Sequence, residues 1–229
     1  PVTLTVNDAA TIASNPSNQT ACLGAATSFS VTASGTAPFT YQWRKGGVDI
    51  VGATSSTLAF AATTLADVAT YDCVITNACG SATSTVASLT VNEPAAIASN
   101  PSDQTTCANA AASFTVSASG TAPFTYQWRK GGIDIVGAIN STLSFANALE
   151  ADEGAYDCVV TNACGSATST AATLTVNDAA TIASNPSNQE VCANAPASFS
   201  VTASGTAPFT YQWRKGGIDI VGAINSTLS

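Results

Sequence analysis

The stretch SGTAPFTYQWRKGG, residues 34–47, recurs unchanged at 119–132 and 204–217, a step of 85 residues each time. Inside it, Tyr41 and Trp43 alternate with Thr40, Gln42 and Arg44, the two-residue period of a strand with one apolar face. Gly35-Thr36-Ala37-Pro38 ahead of it and Gly46-Gly47 behind it are turn residues. The rest of the chain keeps the same step. Trp43, Trp128 and Trp213 are in register, as are Cys22, Cys107 and Cys192, Cys73 and Cys158, and Cys79 and Cys164. A fixed period without insertion means one structural unit used repeatedly.

Outward from that stretch, each unit reads as short strands between turns at roughly 8–12-residue spacing, the all-β sandwich pattern. Phe29, Val31 and Ala33 alternate with Ser30, Thr32 and Ser34. Leu58 and Phe60 form a further alternating pair, and Tyr71, Cys73 and Ile75 alternate with Asp72 and Val74. Asn77-Ala78-Cys79-Gly80 reads as a hairpin turn, and a single strand over 81–91 is expected to close the unit. No segment sustains a 3.6-residue period, so almost no helix is expected. The period divides the chain into residues 1–7 as the last strand of a preceding unit, full units at 8–92 and 93–177, and an incomplete unit at 178–229. This reads as a window on a longer head-to-tail array.

Composition excludes several functions. Only 9% of residues are charged, the net charge is −8, and the six basic residues are one Arg-Lys pair per repeat. That leaves no basic patch for nucleic acid or an anionic membrane surface. No apolar run approaches the ~20 residues that span a bilayer. Histidine is absent, which removes Ser-His-Asp and Cys-His catalysis and the commonest metal ligand. Asp8, Glu93 and Asp178 fall at the junctions between units, but one carboxylate per junction is far short of the 6–8 oxygens calcium takes. No catalytic residue, cofactor or metal site is expected. Asn18-Gln19-Thr20, Asn140-Ser141-Thr142 and Asn225-Ser226-Thr227 match the N-glycosylation acceptor pattern.

Gly24 before the second strand, Trp43 on the third and Asp67-Val68-Ala69-Thr70-Tyr71-Asp72-Cys73 on the sixth resemble an immunoglobulin-like domain of the intermediate set. The second copy, Asp152-Glu153-Gly154-Ala155-Tyr156-Asp157-Cys158, is closer still. The unit also looks like the immunoglobulin-like repeats of large bacterial surface and secreted proteins. The resemblance implies a β-sandwich whose Asp and Tyr form a tyrosine corner. It also implies a disulfide between the second and sixth strands, and here the chain departs from the family. The second-strand position is Val31, with Val116 and Val201 in the other copies, so Cys73 and Cys158 are read as buried free thiols beside the tryptophan.

The remaining cysteines lie at opposite ends of the unit. Strand counting places Cys22 and Cys79 about 11 residue levels, or ~36 Å, apart. A disulfide needs Cα atoms within ~7 Å. Bonds between units are therefore expected: Cys22 to Cys164, with Cys107, Cys192 and Cys79 pairing outside this window or with a neighbouring chain. Seven cysteines in units this small point to an oxidising, extracellular setting. Phe39, Phe124 and Phe209 after the Ala-Pro turn, and the Arg44-Lys45 pair, are candidate contact surfaces. Core packing is the favoured alternative for the phenylalanines, and a solvated edge with a local ion pair for the basic residues. The sequence as a whole indicates a non-enzymatic stalk, fibre or filament whose partners are other copies of itself or neighbouring repeats. The alternative is an adhesin or carbohydrate-binding accessory region, facing glycans or cell surfaces, in a larger secreted protein.

Overall fold

The computed structural model describes residues 2–229. The first repeat contains ten strands: β1 (Thr11–Ser14), β2 (Gln19–Cys22), β3 (Thr27–Ser30), β4 (Thr32–Ser34), β5 (Thr40–Lys45), β6 (Val48–Asp49), β7 (Thr57–Phe60), β8 (Ala69–Asn77), β9 (Gly80–Thr83) and β10 (Ala87–Asn92). One layer has the order β2-β10-β8-β5-β6, with β9 also on β8; the other is made of β1 with β4 and β3 with β7. All pairings are antiparallel except β2 with β10, which run parallel in the register Leu89 to Gln19 through Asn92 to Cys22. The expected all-β sandwich is what the structure shows. Helical structure among the described residues is limited to two 3-10 turns, Leu65–Asp67 and Glu150–Asp152.

The alternating apolar residues meet between the layers. Trp43, Cys73 and Ile75 have no exposed surface, and Phe29, Val31, Tyr71, Ala87 and Leu89 are buried with them. Trp43 lies opposite Cys73 in the ladder. Its indole N–H donates to the Ser55 carbonyl at 2.9 Å, so the ring is buried without an orphaned donor. Phe29 and Tyr71 pack with ring centroids 5.1 Å apart.

One expectation is corrected. The closing strand over 81–91 is two strands, because the ladder slips at Ser84. Thr83 pairs with Val74, whereas Ala87 pairs with Tyr71, one residue out of step. Ser84 Oγ accepts from the Cys73 amide at 2.9 Å and donates to the Thr85 carbonyl, using in the break the bonds the ladder loses. Asn15 Oδ1 then accepts from Thr85 N, and Asn18 Oδ1 from Ser88 N, pinning the start of β10.

By compactness the chain forms two units, whose limits differ from the repeat boundaries. The first runs to Ala98 and includes Ala118–Thr125 and Val160–Thr168; the second is Ser99–Ser117, Tyr126–Val159 and Ser169–Ser229. In the second unit Trp128, Cys158 and Phe114 rebuild the same core, with Trp128 and Cys158 fully buried. The strands at Gln104–Cys107 and Ala172–Asn177 pair parallel as β2 and β10 do. Within 178–229, the pairs are Thr181–Ser184 with Thr202–Ser204, Phe199–Ser200 with Thr227–Leu228, and Arg214–Lys215 with Ile218–Asp219. Counterparts of β8 and β10 are not among these residues, and Trp213 is only half-buried. Residues 2–7, expected as a last strand, form no strand and are exposed; Pro1 lies outside the described residues. A strand needs a partner edge.

Candidate functional site: the joint between repeats

Two side chains, Asn162 and Thr121, build the joint around Glu93-Pro94-Ala95, all within the first compact unit. Asn162 ends the long strand Gly154–Asn162, just ahead of the hairpin that carries Cys164. Its Nδ2 donates to the Glu93 and Thr121 carbonyls, both at 2.8 Å. Its Oδ1 accepts from the Ala95 and Cys164 amides at 3.1 and 2.9 Å. This uses both donors and both lone pairs of the amide. Thr121 adds a reciprocal pair: its hydroxyl accepts from Glu93 N at 2.8 Å, and its own N–H donates to Glu93 O at 3.2 Å. The linker is thereby fastened to the repeat that follows it.

Gly120 is what lets the linker approach. It sits at φ +110°, and a Cβ there would stand 2.3 Å from the Pro94 carbonyl oxygen. The first repeat reproduces the clip at Asp8–Ala10, where Asn77 bonds Asp8 O, Thr36 O, Ala10 N and Cys79 N. In the third, Asp178 and Thr206 make the reciprocal pair, with Gly205 packed on Ala179 O.

On the other side of the linker, β2 ends at Cys22, opposite Asn92 at the end of β10. The Cys22 carbonyl accepts from Thr63 Oγ1, and the Leu23 amide donates to Asn92 O, both at 2.8 Å. Gly24 then turns the chain at φ +81°; Asn109 and Asn194 take the same place at +64° and +66°, which asparagine tolerates better than most residues. The structure joins Cys22 to Cys164 by a disulfide, with Cα atoms 5.4 Å apart. Cys79, Cys107 and Cys192 are exposed thiols: Cys79 has the hairpin position of Cys164, Cys107 ends a strand paired as β2 is, and Cys192 lies in no strand. Cys73 and Cys158 are buried thiols, and burial pushes both above the ordinary cysteine value, which leaves little reactive thiolate.

The candidate contact residues are otherwise engaged. Phe39 is half-buried and packs against the core around Trp43; Phe124 and Phe209 are also half-buried. Arg44 pairs bidentately with Asp72, at 2.7 and 2.8 Å, and the bond to that carboxylate raises its already high pKa. Lys45 donates to the Ala66 carbonyl. Asn18 is committed to Ser88 N, whereas Asn140 and Asn225 are exposed. Among the described residues no three carboxylate or thiol groups cluster as metal ligands would.

At the foot of β8 the Tyr71 hydroxyl donates to the Asp67 carbonyl at 2.8 Å, and Tyr156 to that of Asp152. Asp67 Oδ2 accepts from the Thr64 hydroxyl at 2.7 Å and from its amide at 2.8 Å. These bonds, the hydroxyl's foremost, hold the Asp67 carboxyl below the usual carboxylate range. Its stabilisation is therefore present above the ordinary carboxylate pKa and is lost as pH falls through the depressed folded value. Asp67→Asn should flatten the acid side of the first repeat's stability profile between about pH 5 and pH 2. Urea midpoints across that range check this; an acid limb as steep as in the parent chain would overturn it.

The Asn162–Thr121 clip was not legible beforehand. The 85-residue register marks Asn77 and Asn162, but their bonds to the linker span 67–69 residues of sequence, which no local pattern reports.

A sandwich with parallel β2 and β10, a tyrosine corner and a buried tryptophan, repeated head to tail, defines the class as tandem immunoglobulin-like domains. The model of the immunoglobulin I-set domain matches residues 10–91 and 95–176, and the chain belongs to that family. It is 31% identical over 239 residues to human hemicentin-1, covering 96% of this chain and 4% of that protein. It is 35% identical over 181 residues to endoglucanase C of Cellulomonas fimi, covering 75% and 16%. The cell adhesion molecule DSCAML1 of mouse is 28% identical, covering 81% and 10%. The chain thus spans a small part of each relative's length. Among solved structures, the titin I-band fragment I67–I69 superposes with a TM-score of 0.75 at 22% identity, over 93% of this chain and 81% of that one, which shows the fold. Most of the curated relatives are animal proteins, so the bacterial origin expected from the repeat resemblance is not supported.

Proposed function

We propose that this chain is a non-enzymatic spacer: a run of closely similar sandwiches forming part of an extracellular stalk, fibre or filament. The observation that carries the reading is the joint. The linker is clipped to the following repeat by Asn162 and Thr121, and the Cys22–Cys164 bond crosses it. Interfaces between domains are otherwise small and mobile, so fastening each joint is what a spacer of fixed reach requires. We take the units as 8–92, 93–177 and the partial 178–229. Cys79, Cys107 and Cys192 repeat the two halves of the joint and bond to cysteines of neighbouring repeats or of a neighbouring chain. The disulfide supports an oxidising compartment. The partners are other copies of the chain or adjacent repeats, and no cofactor is needed.

Similarity to endoglucanase C favours a second reading, an accessory region of a larger secreted protein that holds a glycan or cell surface. The packing of Phe39 on the core counts against a stacking platform there. Electron microscopy of the native material separates the two. The spacer reading expects long polymers with an axial repeat of ~40 Å, about 12 strand residues end to end. Isolated particles retained on glycan columns would overturn it in favour of the second.

A further inference from the structure

The Cys22–Cys164 bond closes a loop with a sequence separation of 142. Inside that loop lie the Trp43 and Trp128 side chains, both tyrosine corners and the linker Glu93–Ala95, while β1 and the strands Gly165–Thr168 and Ala172–Asn177, with the buried Ala10, Leu174 and Val176, lie outside it. Outside it lie only residues 1–22 and 164–229. A pull along the chain follows the shortest covalent path. That path runs to Cys22, crosses the disulfide to Cys164 and leaves towards Ser229, so once the strands outside the loop have peeled from their partners the backbone between the two cysteines carries no tension while the bond holds.

We propose that the staple is a tension bypass, which takes the chain from Leu23 to Ala163, with both buried tryptophans, out of the covalent line of force and makes the Glu93–Ala95 linker mechanically redundant. The proposal rests on reading the chain as a mechanical spacer. Its physical ground is the contrast between the two fastenings of one joint. The clip is a handful of hydrogen bonds, individually weak in net terms, and yields under load. The disulfide is covalent and does not yield by unfolding. A second consequence follows from the same topology. A backbone break inside the loop, such as at the exposed Val51–Gly52 turn, leaves the two ends of the chain joined.

Single-molecule stretching of the 229-residue chain, held at its two ends, tests the bypass. The oxidised chain should extend to a contour about 500 Å shorter than the chain in dithiothreitol, the 142-residue separation at ~3.5 Å per residue. Cys22→Ser without reductant should match the reduced parent, and Cys79→Ala should keep the short contour. Equal contours in the oxidised and reduced parent would overturn the proposal. Should Cys22→Ser fail to fold, a protease site placed at residues 51–53 supplies an independent reading. The cut chain should run as one species without reductant and as two with it; two species under both conditions would overturn the bypass. A short oxidised contour in material that forms no filament would keep the bypass and remove the spacer reading. Filaments whose chains stretch equally in both states would remove the bypass alone.

Discussion

Trp43→Ala is expected to lower the stability of the first repeat by about 3–5 kcal/mol, the range for removing a large aromatic side chain from a packed core. Trp43 has no exposed surface, lies opposite Cys73, touches Phe29 at a centroid distance of 6.1 Å and bonds Ser55 O through its ring N–H. The alanine leaves the space of an indole and strands the Ser55 carbonyl. No inter-sheet disulfide supports the fold at this point, because Val31 faces the Cys73 position. Against a domain stability of about 5–10 kcal/mol, the loss takes most of the margin. A melting temperature lower by about 12 °C or more follows from about 4–8 °C per kcal/mol for a domain of this size. Calorimetry of the chain should show one transition moved and the other, from the Trp128 core, in place. A first transition within a few degrees of the parent would show that the sandwich does not depend on this ring.

Asn162→Ala is the second large effect, and it is local to the joint. It removes two donors and two acceptors at once and leaves the amides of Ala95 and Cys164 without partners. Ala95 is buried, so its N–H has little access to water. Stranding such a group costs about 1–3 kcal/mol, and the sum expected here is about 2–3 kcal/mol for opening the linker. Hydrogen exchange reads it directly: protection of the Ala95 amide should fall by about 30-fold or more, 2 kcal/mol at 1.4 kcal/mol per decade. Asn162→Asp keeps the acceptor oxygen and should recover part of the protection. The Trp43 core, in the other repeat, should unfold as before. Unchanged exchange at Ala95 would show that the linker is held by something other than Asn162.

Both predictions show where sequence reading is strong and where it stops. Trp43, Tyr71 and Cys73 could be assigned to one buried face because strand alternation is local and copied at every repeat. Asn77 and Asn162 could be placed in a hairpin for the same reason, but not assigned their work. Their partners are backbone groups some 70 residues away, and an amide hydrogen-bonding a carbonyl leaves no pattern in residue type. The break at Ser84 was missed on the same ground: Ser81–Val91 reads as one strand, and only the pairing with β8 shows the one-residue slip. For Arg44 the sequence allows a contact surface or a local ion pair, and the structure supplies the ion pair: Asp72, across the β5–β8 ladder and 28 residues away.

The sequence by itself determined the repeat, the sandwich class, the absence of the usual inter-sheet disulfide and the placing of Cys22 and Cys79 at opposite ends of a unit. The repeat, the sandwich class and the placing of the cysteines follow from periodicity and strand length, which are properties of the chain in order, and the missing disulfide from the family resemblance, with Val31 standing at the second-strand position. Only the tertiary structure decided how the joint is made. It laid Glu93-Pro94-Ala95 against Gly120 and turned Asn162 onto both sides of the linker. Those contacts depend on where two sandwiches place the ends of strands far apart in sequence, and that is fixed by packing and hydrogen-bond satisfaction rather than by local pattern.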